Sequence, residues 1–127
     1  MTSPRPELPS GLVAFVKRDC PTCELVAPVL AQLAKAGSLT VYTQDDPDFP
    51  ADCAPEDDTS LERSWHHEIE VVPTLLRVES GAEQERIVGW QREEWEAFTG
   101  QSGLGPGLPD WRPGCGSLSV DPSREPE

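Results

Sequence analysis

The junction at residues 11–36 restricts the fold more than any other part of the chain. Leu12-Val13-Ala14-Phe15-Val16 is an unbroken apolar run, introduced by Gly11 and closed by Lys17-Arg18-Asp19. Such a run reads as a strand buried on both faces, and so as a central strand of a covered sheet. Directly after it, Cys20-Pro21-Thr22-Cys23 leads into Leu25, Val26, Val29, Leu30 and Leu33 at helical spacing, with Gly37 as a stop. This predicts a helix from Pro21 to Ala36 with Cys20 at its N-terminus. Pro28 is expected to kink that helix rather than end it, because the periodicity continues past it. Leu39 to Thr43 alternates as a second strand, completing a strand, helix, strand unit with parallel pairing and right-handed crossover.

The rest of the chain extends this α/β pattern. Residues 45–58 are dense in Asp and Pro, and read as an exposed acidic loop that carries Cys53. Thr59-Ser60-Leu61-Glu62 has capping-box spacing, with Leu61, Trp65 and Ile69 on the buried face of a short helix ending near His67. Thr74 to Val78 and Glu85 to Val88 flank Ser80-Gly81 as an antiparallel hairpin. Trp95 and Phe98 mark a last helix stopped by Gly100, and Trp95 is the tryptophan assigned to the core. The expected organisation is an N-terminal extension over 1–10, one domain over 11–100 and a tail over 101–127. The tail is too rich in Gly and Pro to build its own core, and Trp111 is its expected point of docking.

Charge narrows the function classes. Ten basic against twenty-three acidic residues give a net charge of −13, which repels phosphate backbones and anionic lipid. No nucleic-acid or membrane partner is expected. The longest apolar stretch, Leu12 to Val16, is far below spanning length, and MTSPRPELPSG has no apolar run behind a basic start. The expected location is therefore cytoplasmic, where a close cysteine pair points to redox or metal chemistry rather than to a disulfide scaffold.

Cys-x-x-Cys at a strand-to-helix junction places two sulfurs one helical turn apart, with the first facing unpaired N–H groups. The dipole favours a Cys20 thiolate, Lys17 and Arg18 add attraction, and Asp19 opposes it. Cys20 is thus the candidate nucleophile and Cys23 the resolving thiol. A closed zinc site would need two further ligands. Cys53 with Cys115, or His66 with His67, could supply them only nominally, because neither pair has the spacing of zinc modules. No metal and no cofactor are assigned, and the two histidines read as a solvated helix end.

With these features in order, residues 11–100 resemble the thioredoxin superfamily. The likeness rests on the buried strand before Cys20-Pro21-Thr22-Cys23, on Pro28, on Val71-Val72-Pro73-Thr74 opening the next strand, on the Glu79-Ser80-Gly81 hairpin, and on Val88-Gly89 before a final amphipathic helix. It implies a thioredoxin-like three-layer α/β/α domain with a four-stranded mixed sheet and about three helices. It also implies a cis bond before Pro73 beside Cys20, leaving Val72 backbone groups free to pair with a substrate strand, so that Val72, Pro73 and Thr74 form the substrate site. The implied activity is dithiol–disulfide exchange on a protein or small-molecule disulfide, with an external thiol as reductant.

The chain also departs from the family pattern. Asp19 stands where thioredoxins usually carry tryptophan before the first cysteine, and Pro-Thr replaces Gly-Pro between the cysteines. Ala14 and Thr43 stand where thioredoxins carry a buried acid and a lysine, which favours a dedicated partner over general reductase activity. Gly89-Trp90-Gln91-Arg92 lacks the acidic ending expected of a glutaredoxin's glutathione site.

Cys115, flanked by Gly114 and Gly116, is a third candidate redox residue and Cys53 a fourth. At up to about 3.5 Å per residue, the stretch from Gly100 to Cys115 outreaches a small domain's diameter. Cys115 is open to three readings: a shuttle for the active-site disulfide, a bridge to Cys53, or a bystander. Two other function classes remain beside exchange: a non-catalytic binding module, and a metal or redox sensor using the cysteine pair.

Overall fold

The computed structural model describes residues 8–37 and 39–118. Parts of the expected N-terminal extension and tail therefore lie outside the described residues. The sheet is built on β1 (Gly11–Val16), which pairs in parallel with β2 (Leu39–Thr43) across α1 (Pro21–Ala36). A 3-10 turn (Ala51–Cys53) follows, then the two-residue β3 (Glu56–Asp57), which adds in parallel to β2. Beyond α2 (Glu62–His66) and the short β4 (Val71–Val72), β5 (Thr74–Glu79) runs antiparallel to β1 and turns into β6 (Ala82–Val88). The order is β3-β2-β1-β5-β6, the expected four strands plus a short fifth at the edge. The chain then passes through β7 (Trp90–Gln91) into α3 (Arg92–Thr99), and closes with β8 (Trp111–Arg112) and β9 (Cys115–Gly116).

The central strand is as dry as its composition demands. Val13, Ala14, Phe15 and Val16 are all fully buried. Since successive side chains point to opposite faces, both faces of β1 are covered. Phe15 lies opposite Tyr42 in the parallel register and stacks on it with ring centroids 5.3 Å apart. From α1, the side chains of Val26, Val29, Leu30 and Leu33 enter the same core, and the helix continues through Pro28.

The second helix forms for a different reason from the one its sequence suggests. Leu61, in the left-handed region, occupies the cap position of α2 and supplies no side-chain bond. The buried Asp58 carboxylate accepts instead from Arg63 N at 3.0 Å, from Ser64 N at 2.9 Å and from Ser64 Oγ at 2.6 Å. This satisfies amide donors that have no partner within the helix. Leu61 and Ile69 are buried as expected, whereas Trp65 is 49% exposed. Asp58→Ala strands these donors in a dry site, and is expected to lower unfolding free energy by about 1–3 kcal/mol in urea titration. Asp57→Ala, on an exposed carboxylate, should change it by less than about 0.5 kcal/mol.

Residues 101–118 form a docked strap, and Trp111, at 63% exposure, is not its anchor. The strap is held by the fully buried Trp90, whose indole N–H donates to Pro109 O at 2.7 Å. It is held also by Arg92, whose guanidinium donates to the carbonyls of Leu104, Gly105 and Leu108 and pairs with Asp110. Trp90 joins Trp95 edge to face in the core, centroids 5.2 Å apart. β8 pairs with β7 through its backbone, so Trp111 takes part by main chain alone.

Candidate active site

The turn between β1 and α1 is tied down before the first cysteine. Asp45 accepts from the amides of Arg18 (2.7 Å) and Asp19 (2.9 Å), while Arg18 pairs with Asp46 at 2.8 Å. Cys20 then caps α1 with its own sulfur, which accepts from Cys23 N at 3.3 Å. Cys23, one turn in, is fully buried, and its sulfur accepts from Lys17 N at 3.5 Å.

Across from this pair lies the loop before β5. The Val72–Pro73 bond is cis, as the resemblance implied, and so is Phe49–Pro50. Cys20 Sγ sits 3.7 Å from Val72 O. The expectation that Val72 keeps unpaired backbone groups is corrected by the fold. β9 lies antiparallel on β4, with Cys115 opposite Val72 and Gly116 opposite Val71. Thr22 Oγ1 donates to Pro113 O at 2.6 Å, and Ser117 N to Glu70 O at 3.0 Å. Buried Gln44 fastens the end of the strand, donating to Ser64 Oγ (2.8 Å) and Ser117 Oγ (2.7 Å) and accepting from Leu118 N (3.0 Å).

These contacts split the thiols electrostatically. Cys20 is lowered to about 6, first by the hydrogen bond from the Cys23 thiol, then by that from the Cys115 thiol and by the amides of Cys23 and Thr22; burial works against them. Cys23 is pushed far up, first by burial and then by the neighbouring Cys20. Cys115 is also raised, first by burial and then by its bond to Cys20. Hydrogen bonds aimed at the sulfur, ahead of any attraction from Lys17 and Arg18, lead in favouring the thiolate. Thiolate absorbance at 240 nm, taken as wild type minus Cys20→Ser, should rise with pH through a midpoint near 6, since ionisation sets in above the group's pKa. A single midpoint above 8 would remove this assignment.

Of the other candidates, Cys53 is buried in the core at the 3-10 turn, and Cys115 faces Cys20 rather than Cys53. Thr74 is buried beside Pro73, its hydroxyl donating to Val71 O. Among the described residues, no group of three or more His, Cys, Asp or Glu side chains is placed to hold a metal ion, and no helix is long and apolar enough to cross a membrane. Gln44 and Arg92 position the site without having been singled out, whereas Gly114 was noted as a flank of Cys115. Nothing local in the sequence marks Gln44 or Arg92, because both act on a segment remote from them in the chain.

A buried strand running into a cysteine-capped helix, with a cis-proline loop laid against the first sulfur, defines a dithiol site on a thioredoxin fold. Comparison with known proteins agrees on the fold. Over 83 residues, 65% of this chain, it is 28% identical to the H-type thioredoxin 1 of Nicotiana tabacum and 26% identical to an H-type thioredoxin of Oryza sativa subsp. indica. The match spans 58% and 60% of those relatives' own lengths. The crystal structure of Malassezia sympodialis thioredoxin superposes with a TM-score of 0.50 at 17% identity, covering 70% of this chain and 72% of that one. No family model matches. The chain has a thioredoxin-like fold and resembles thioredoxins in sequence.

Proposed function

We propose that this chain is a thiol–disulfide oxidoreductase in which Cys20 and Cys23 cycle between dithiol and disulfide. The reading is carried by one observation: Cys20 Sγ caps α1 and faces the cis-proline loop, with its thiolate favoured down to about 6 while buried Cys23 holds its proton. Cys20 thiolate attacks one sulfur of a substrate disulfide, so that a Cys20–substrate bond forms and the other substrate sulfur leaves as thiolate. Cys23 then attacks Cys20 Sγ and passes its proton to the departing substrate sulfur. Two electrons have moved to the substrate, and an external thiol restores the pair.

The substrate is a protein or small-molecule disulfide, met in a reducing, cytoplasmic setting where an open cysteine pair persists. An extended substrate would pair on the Val72–Pro73 loop, beside Thr74, by taking the place on Val72 that β9 holds in this structure. Ala14 and Thr43, both buried in the sheet, offer neither a carboxylate nor an ammonium to handle the Cys23 proton, which favours a dedicated partner over broad reductase activity. The test is insulin-disulfide reduction under dithiothreitol. The full chain is expected to accelerate it several-fold over dithiothreitol alone; equal rates with and without the chain, together with no reaction of Cys20 with a small-molecule disulfide, would overturn the reading.

A further inference from the structure

The strap ends in a short strand lying where the proposed reaction needs its substrate. β9 pairs with Val72 on the cis-proline loop, and the residue opposite Val72 is a cysteine. Its backbone is received closely: a side chain at Gly114 would meet Val71 Cγ1 at 2.4 Å and Val72 O at 2.8 Å, and one at Gly89 would meet Gly114 N at 3.1 Å. Only glycines let the two backbones approach this far. Thr22, inside the cysteine motif, binds the carbonyl of Pro113, and Gln44 and Glu70 hold the residues just after Cys115. Cys115 is thereby set opposite Val72, whose carbonyl lies 3.7 Å from Cys20 Sγ, and the two thiols influence each other's ionisation. Cys20 is 1% exposed, whereas Cys115 keeps partial access to solvent.

We propose that Cys115 is the internal thiol partner of Cys20, with β9 seated as a built-in substrate strand that takes the active-site disulfide as a Cys20–Cys115 bond. The inference rests on the dithiol-exchange reading, whose substrate disulfide supplies the oxidising equivalents. Once the Cys20–Cys23 disulfide has formed, Cys115 loses its proton and its sulfur attacks Cys20 Sγ. The Cys20–Cys115 bond forms, the Cys20–Cys23 bond breaks, and Cys23 leaves as a thiolate that takes up the proton. No net electrons move. Burial favours protonated Cys23, which draws the exchange toward the strap. The disulfide is transferred from a sealed sulfur pair to one that includes a solvent-reachable atom, where an external thiol can attack it.

The test uses the full chain carrying Cys23→Ser, with 5,5′-dithiobis(2-nitrobenzoate) as the disulfide. Attack by Cys20 should release one thionitrobenzoate and attack by Cys115 a second, leaving a Cys20–Cys115 crosslink that peptide mass mapping identifies in most molecules. Adding Gly114→Val, which drives a side chain into Val71 and the Val72 carbonyl, should slow the second release by about tenfold or more through lost alignment. In the wild type, one equivalent of the reagent followed by acid quench should yield Cys20–Cys115 alongside Cys20–Cys23, a readout independent of how the variants fold. A thionitrobenzoate adduct persisting on Cys20 in Cys23→Ser, with no crosslink in the wild type either, would overturn the inference while leaving the exchange reading intact. Failure of Cys20 to release any thionitrobenzoate, in the wild type and in Cys115→Ser, would instead overturn the exchange reading.

Discussion

Replacing Cys20 by serine is expected to return insulin reduction to the rate of dithiothreitol alone, erasing the whole several-fold acceleration. The sulfur is at once the cap of α1, the acceptor of the Cys23 amide and the group facing the cis-proline loop. A serine oxygen can keep the capping bond, so the helix and the fold should survive. What it cannot keep is the anion: a hydroxyl stays protonated where this thiol ionises near 6. Cys23→Ser should behave differently, because the first attack needs Cys20 only. In the Cys23→Ser/Cys115→Ser double variant, that attack should leave a stable mixed disulfide on Cys20, visible as an added substrate mass. If Cys20→Ser retained insulin turnover while Cys53→Ser lost it, the reactive centre would have been placed on the wrong cysteine.

Trp90→Ala should be strongly destabilising, lowering unfolding free energy by about 3–5 kcal/mol. Against a total of about 5–15 kcal/mol for a domain, that is a large share. The side chain is fully buried, packs edge to face on Trp95 and donates to Pro109 O. Its loss opens a cavity, leaves a carbonyl of the strap without its donor, and unseats the segment that carries Cys115 to Cys20. Urea unfolding should therefore shift strongly, and limited proteolysis should find residues 101–118 newly accessible. Trp111→Ala is the control: the ring is 63% exposed and β8 pairs through backbone, so the change should stay within about 0.5 kcal/mol. Equal costs for the two tryptophans would mean that the strap is not anchored as described.

The two tryptophans also show where sequence reading stopped. Trp95, at a helix position after a clear strand, was legible as core. Trp90 was not, because it follows Gly89 at a strand end where local periodicity gives no face. Burying it requires the strap to return over it, a contact between residues 19 positions apart. Trp65 failed in the opposite sense. Helical spacing put it on a buried face, but α2 spans only five residues and its first turn donates to Asp58, so it is oriented by that carboxylate rather than by an apolar stripe. The sites divide in the same way. Cys20 and Cys23 are set by a contiguous strand-to-helix junction, and the dipole argument needs only that local order. The alignment of Cys115 with Val72 depends on Gln44, Thr22, Gly89 and Arg92, none of which is near it in sequence.

By itself the sequence determined the central strand, the cysteine-capped helix, the hairpin, the final helix and hence the thioredoxin-like fold. These follow from periodicity and from turn and cap chemistry acting over a few residues. The tertiary structure alone decided the path of residues 101–118, the occupation of the Val72 edge and the partner of Cys115. A Gly- and Pro-rich segment has no period to read, and its conformation is fixed by donors and acceptors that the folded domain presents to it.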